Sequence, residues 1–244
     1  AVGKLREAAH SIYKIKEFEL MRRYYMNGDL QAKQELDKSA YKNRGEFGEL
    51  ILHLLLRDFK GTIPLVSKVY FKDTSGVPAH GFDTVHISPD EKVLWLGESK
   101  FYGNGKVGIR QLLVDLEQHF KKEYLDEQFI IIKKNLECNN IPQRQQWIEE
   151  LSNCNKLSDK LDMINIPMLC TYENDIYSKF ENLNGQDAIN YHEVNIRELK
   201  KIFDDENKHP LKSRLNVILL LFPVKNKKEL IKILHEKLWH MQNI

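Results

Sequence analysis

Cysteine is scarce in this 244-residue chain, with three in all: Cys138, Cys154 and Cys170. They form no C-x-x-C pair, and an odd count gives no disulfide framework, so zinc knuckles and stapled secreted scaffolds are excluded. No apolar run approaches the roughly 18 residues of a membrane helix, and no signal-peptide pattern is seen, so a soluble, cytoplasmic chain with no membrane partner is expected. The nine histidines lack H-E-x-x-H spacing, and neither G-x-S-x-G nor a Walker A pattern occurs. Serine hydrolysis and an intrinsic ATPase are thereby set aside. A dominant charge is missing as well, since 37 Lys and Arg stand against 35 Asp and Glu. Phosphate contacts are local, so this balance neither demands nor excludes nucleic acid.

What is present is a full complement of core residues, 42% of the chain, enough for one large domain or a domain with an appendage. Residues 1–44 are polar with a helix-like scatter of apolar positions, read as two or three helices forming an N-terminal extension. The main domain is placed at 45–244. From Gly45 to Asp58, Phe47, Leu50, Ile51, Leu54 and Leu55 follow the spacing of a core-facing helix. A β-rich stretch runs from Pro64 to Phe71. Gly81–Ile87 and Val93–Phe101 read as two strands joined by a Ser88-Pro89-Asp90-Glu91 turn. One long helix is expected from about Ile109 to Leu136. Ile164–Tyr172 and Leu215–Val224 are short apolar runs that read as buried strands, separated by a charged helix around 189–207. An amphipathic helix closes the chain from Lys227 to Met241. The order gives an α/β fold, a mixed sheet flanked by helices.

Three features of this frame carry chemistry. Glu49 lies on the apolar helix, Asp83 on one strand of the hairpin, and Glu98-Ser99-Lys100 on its partner. Residues two apart in a strand share a face, so Glu98 and Lys100 project together while Ser99 points away. Their neighbours are apolar, and a buried charge is costly unless it is paired or binds a metal. Antiparallel pairing brings Asp83 to the same end. Two carboxylates can hold Mg²⁺ (with Mn²⁺ as a substitute) in a shell that keeps several waters, and a nearby lysine can stabilise charge on a phosphate under attack. Glu49, or Glu46 one turn earlier, would complete the shell.

The G-F-D…E-S-K pattern, with Gly45-x-x-x-Glu49 upstream, resembles the core of PD-(D/E)xK nucleases, although Phe82 stands where the proline would be. RGEFGEL, GFDTVHI, LWLGESKFY and LLLFPV-x-x-K further resemble the HamA family, the nuclease subunits of Hachiman-type anti-phage defence systems. The resemblance implies a restriction-endonuclease-like core and Mg²⁺-dependent cleavage of DNA. It assigns Asp83, Glu98 and Glu49 to the metal and Lys100 to catalysis. It also implies an ATP-dependent helicase partner, HamB, that restrains and activates the nuclease.

Other readings compete. Gly103-Asn104-Gly105-Lys106-Val107-Gly108 is a literal G-x-G-x-x-G between strand and helix, the setting of a dinucleotide fingerprint. The preceding strand, however, carries Glu and Lys, and no acidic strand end follows at the right distance. A flexible bend over the site, making a phosphate contact, is the preferred reading. Gln111 is placed near the site or on a solvated face, and His53, one turn after Glu49, reads as a satisfied polar residue at a helix edge in preference to a metal-site contact. A catalytically silent nuclease-fold module that binds nucleic acid or protein remains the alternative to an enzyme.

Overall fold

The computed structural model describes residues 20, 23–24, 27–38, 45–67, 81–88, 90, 92–138, 141–153 and 156–242. Five strands form one sheet in chain order: β1 (Ile63–Ser67), β2 (Thr84–Ser88), β3 (Val93–Phe101), β4 (Ile164–Glu173) and β5 (Asn216–Val224). β1, β2 and β3 pair antiparallel, whereas β3, β4 and β5 pair parallel. A parallel pair needs a long crossover, and the helical segments supply two. The first comprises α3 (Gly105–His119), α4 (Lys122–Cys138), α5 (Arg144–Asn153) and α6 (Leu157–Asp162), and the second α7 (Ile176–Lys179) and α8 (Gln186–Glu206). α1 (Leu30–Lys38), α2 (Glu46–Lys60) and α9 (Lys227–Gln242) complete the chain. The expected α/β class and mixed sheet are therefore what is found.

Alternation along the strands sorts the core into two faces. Leu94 and Leu96 of β3 and Ile164, Ile166, Met168, Cys170 and Tyr172 of β4 face α3, α4 and α8, where Ile109, Leu112, Leu116, Leu125, Phe129, Leu199 and Phe203 meet them. Trp95 and Leu169 face the other way, onto Leu52 and Leu56 of α2. Of the stripe read in α2, Phe47 and Leu50 are buried while Ile51, Leu54 and Leu55 are half-buried. Leu52 and Leu56, outside that stripe, are the buried pair on this face, and each contributes about 1.5–3 kcal/mol. α1 belongs to the same body: Ala32 and Leu36 pack with Phe47 and Leu50 of α2, Phe101 of β3 and Ile231 of α9. The rest of the expected N-terminal helices, and the stretch 68–80, lie outside the described residues.

Two expectations need correction. The single helix over 109–136 is two, α3 and α4, separated at Phe120 and Lys121. No proline or glycine marks the break. Phe120 is fully buried, its ring tilted against Phe82 at 5.2 Å between centroids, and its backbone leaves helical geometry there. Second, β5 is not a buried central strand. It forms an edge of the described sheet, with most of its residues half-exposed. An apolar run looks the same in sequence whether its second neighbour is present or not.

Candidate active site at the end of β3

β2 and β3 are paired up to Thr84 and Gly97. Beyond that point β3 continues to Phe101 with no further β2 partner among the described residues. Asp83, one residue before β2 begins, takes over where the ladder stops. Its Oδ2 accepts a hydrogen bond from the Ser99 backbone N–H at 2.8 Å and another from Ser99 Oγ at 3.0 Å. A backbone donor that would otherwise be buried without an acceptor is thereby satisfied by a carboxylate. Ser99 points away from the face shared by Glu98 and Lys100, as its strand parity predicts, and from there it holds Asp83.

Glu98 and Lys100 share the face of β3 that looks onto α3. Glu98 is almost fully buried, 2% exposed, and its Oε1 lies 2.6 Å from Nδ1 of His119. With Glu98 ionised the carboxylate only accepts, and Nδ1 of His119 is then the donor. The imidazole is stacked on Tyr124 at 4.5 Å, with Phe82 edge-on at 5.8 Å. Phe82, at the motif's proline position, therefore walls the histidine that holds Glu98. Lys100 Nζ lies 2.6 Å from Asp115 Oδ2. Burial alone would push the ammonium pKa down, but the Asp115 ion pair, with the added fields of Asp83 and Glu98, outweighs it and raises the pKa.

Glu49 sits in the first turns of α2, half-buried. Gly48 brings this turn against β3, since a Cβ at Gly48 would lie 3.2 Å from Ser99 Oγ. The helix thus approaches the opposite face of Ser99 from Glu98. Among the described residues, no three His, Cys, Asp or Glu side chains gather closely enough to hold an ion. Gln111 is exposed.

A profile of the HamA family matches residues 4–238. The chain belongs to the HamA family. Membership points to a role in Hachiman-type anti-phage defence. No curated protein and no solved structure matches the chain.

Three groups in this HamA-family site escaped sequence reasoning. Asp115 and His119 sit in a helix with no motif of their own, and only their four-residue spacing on one helix face was available as a signal. The third is a buried chain behind α2. Thr62 Oγ1 lies 2.7 Å from Nδ1 of His86, whose Nε2 lies 3.1 Å from Nδ1 of His53. Burial holds His86 down to about 3 and lowers His53 too, with the nearby Arg57 adding to both. His53, read as a satisfied polar residue at a helix edge, has its partner in His86 and is a buried strut between α2 and β2.

The glycine-rich bend also turned out differently. Asn104 Oδ1 accepts from the backbone N–H groups of Lys106 and Val107, which caps α3 at once. A Cβ at Gly105 would stand 2.9 Å from Tyr172, and one at Gly108 would stand 2.6 Å from Cys170 Sγ. These two glycines let α3 lie directly on β4, so the motif serves helix–sheet packing rather than a flexible bend. Among the described residues, no helix is long and apolar enough to cross a membrane.

Proposed function

We propose that this chain is a Mg²⁺-dependent DNA endonuclease or nickase with a PD-(D/E)xK core, working in an anti-phage defence complex. The observation that supports it most is the burial of Asp83 and Glu98 beside a lysine kept cationic at the open end of β3. Two buried carboxylates at one strand end are expensive unless they are paired or serve a cation, and here their protein partners leave oxygen lone pairs that an ion can use. Their donor set is all oxygen, which suits Mg²⁺, an ion that binds through one or two carboxylates and keeps its remaining waters. The lack of a three-ligand cage among the described residues is compatible with that ion. Asp83 and Glu98 would hold the metal, with Glu49 approaching from α2 directly or through water. When bound, the ion offsets phosphate charge and lowers the pKa of an attacking water.

The remaining chemistry falls to the chain. With its pKa raised, Lys100 stays protonated at neutral pH, so it does not act as a base; it stabilises negative charge growing on the phosphate. Ser99 fixes the Asp83 carboxylate. A nuclease that cuts without reading sequence needs restraint, and the given sequence carries no Walker A pattern. The family resemblance supplies an ATP-dependent helicase, HamB-like, as the partner that feeds it DNA.

Plasmid nicking with Mg²⁺, with EDTA, and with Glu98→Gln tests this reading, using the chain alone and with the helicase. Metal-dependent cleavage lost in Glu98→Gln is expected. One observation favours a silent binding module instead: Asp83, Glu98 and Lys100 each already have a partner within the chain. Cleavage that persists unchanged in Glu98→Gln, or that no condition elicits from the wild-type complex, would decide for that alternative.

A further inference from the structure

We infer that α3 is a positioning clamp for the E-x-K strand, with His119 setting the orientation of Glu98 and Asp115 setting that of Lys100. The inference rests on the nuclease reading above and assigns roles to two residues that reading does not use. It begins with matched spacing. Two residues along a strand advance about 6.6 Å, and four residues along a helix advance about 6 Å. Glu98 and Lys100 are two apart on β3; Asp115 and His119 are four apart on α3. The helix runs back along the strand, so the later strand residue meets the earlier helix residue. Lys100 meets Asp115 and Glu98 meets His119, both at 2.6 Å.

Each contact opposes charge to a complementary group: cation to carboxylate, and carboxylate to an imidazole N–H. Reversing the order on either element would set Glu98 against Asp115. The clamp therefore fixes the register of α3 against β3 and the rotamers of both site residues together.

Three further features hold α3 in that register. Asn104 caps its start. Gly105 and Gly108 allow its first turns to touch Tyr172 and Cys170 of β4. On its outer side, Lys106 and Arg110 pair with Glu198 and Glu206 of α8. His119 is held in turn by Tyr124, stacked at an interplanar angle of 9°, and by Phe82. Oriented outer partners of this kind typically govern ligand affinity through the residues they hold.

The test uses the full chain purified with its helicase and reads two quantities. Mn²⁺ affinity is measured without DNA, and kcat for nicking at saturating metal. His119→Ala is expected to raise the Mn²⁺ Kd about 10- to 100-fold. His119→Asn, which keeps an N–H donor near the Nδ1 position, should restore most of that loss. Asp115→Asn should leave the Mn²⁺ Kd as in wild type and lower kcat about tenfold or more. A merely structural role for α3 would move both readouts together with the urea midpoint and would show no rescue by Asn. Equal Mn²⁺ affinity in wild type, His119→Ala and His119→Asn, with Glu98→Gln inactive, overturns the clamp and spares the nuclease reading. Wild-type cleavage by Glu98→Gln removes both.

Discussion

Lowering the pH from 7 to 5 should destabilise this protein through a histidine buried behind α2. His86 is fully buried between Thr62 and His53, and burial holds its pKa at about 3 against 6.5 unfolded. The group's folded pKa is depressed, so between these values the unfolded chain takes up a proton that the native chain refuses. Stability from the neutral ring is complete above pH 6.5 and is lost as pH falls through 6.5 towards 3. Each pH unit in that window costs about 1.4 kcal/mol, and the fall from pH 7 to 5 costs about 2 kcal/mol. His53, lowered in the same direction, adds to the loss. With an m-value of about 2–3 kcal/mol per molar, the urea midpoint drops by somewhat under 1 M. His86→Leu removes the titrating group. It deprives Thr62 and His53 of a partner and costs about 1–3 kcal/mol for each buried group left unsatisfied, yet its midpoint should depend less on pH. Carboxylates titrate alike in both proteins and cancel in the comparison. Parallel pH profiles for wild type and His86→Leu would refute the reasoning.

Further outcomes follow from particular contacts. Asp83→Ala should abolish metal-dependent nicking and also lower stability by about 1–3 kcal/mol, because the buried Ser99 N–H loses its acceptor; nicking and urea unfolding measure the two losses separately. Gly108→Ala should destabilise by about 1–3 kcal/mol despite the better helix propensity of alanine, since the new Cβ meets Cys170 Sγ. Adding Cys170→Ala should recover much of that loss in the melting temperature, whereas strict additivity of the two changes would contradict the packing argument. EDTA should stop cleavage yet leave the circular dichroism spectrum and melting temperature unchanged, because Asp83, Glu98 and Lys100 have protein partners without the ion. A melting temperature that falls sharply in EDTA would show that the metal is structural.

Several parts of the molecule were legible in residue order alone. The helical character of α2, the hairpin of β2 and β3, and the buried character of β4 are local signals, because period and apolarity are properties of neighbouring residues. Glu98 and Lys100 were visible for the same reason: two charges in an apolar strand stand out before any fold is known. The partners those charges find were not legible. Asp115 and His119 look like ordinary surface residues of an amphipathic helix, and only the crossover that lays α3 back along β3 gives them a role. Tertiary structure also decided that Gly105 and Gly108 seat a helix on a strand, that Phe120 ends one helix and starts another, and that the apolar run of β5 lies at an edge. It further decided that His53 and His86, 33 positions apart, share one hydrogen bond. These are long-range outcomes. A side chain's period shows which face it occupies, but its partner depends on which distant element the chain closure brings to that face, and on a burial energy shared by both.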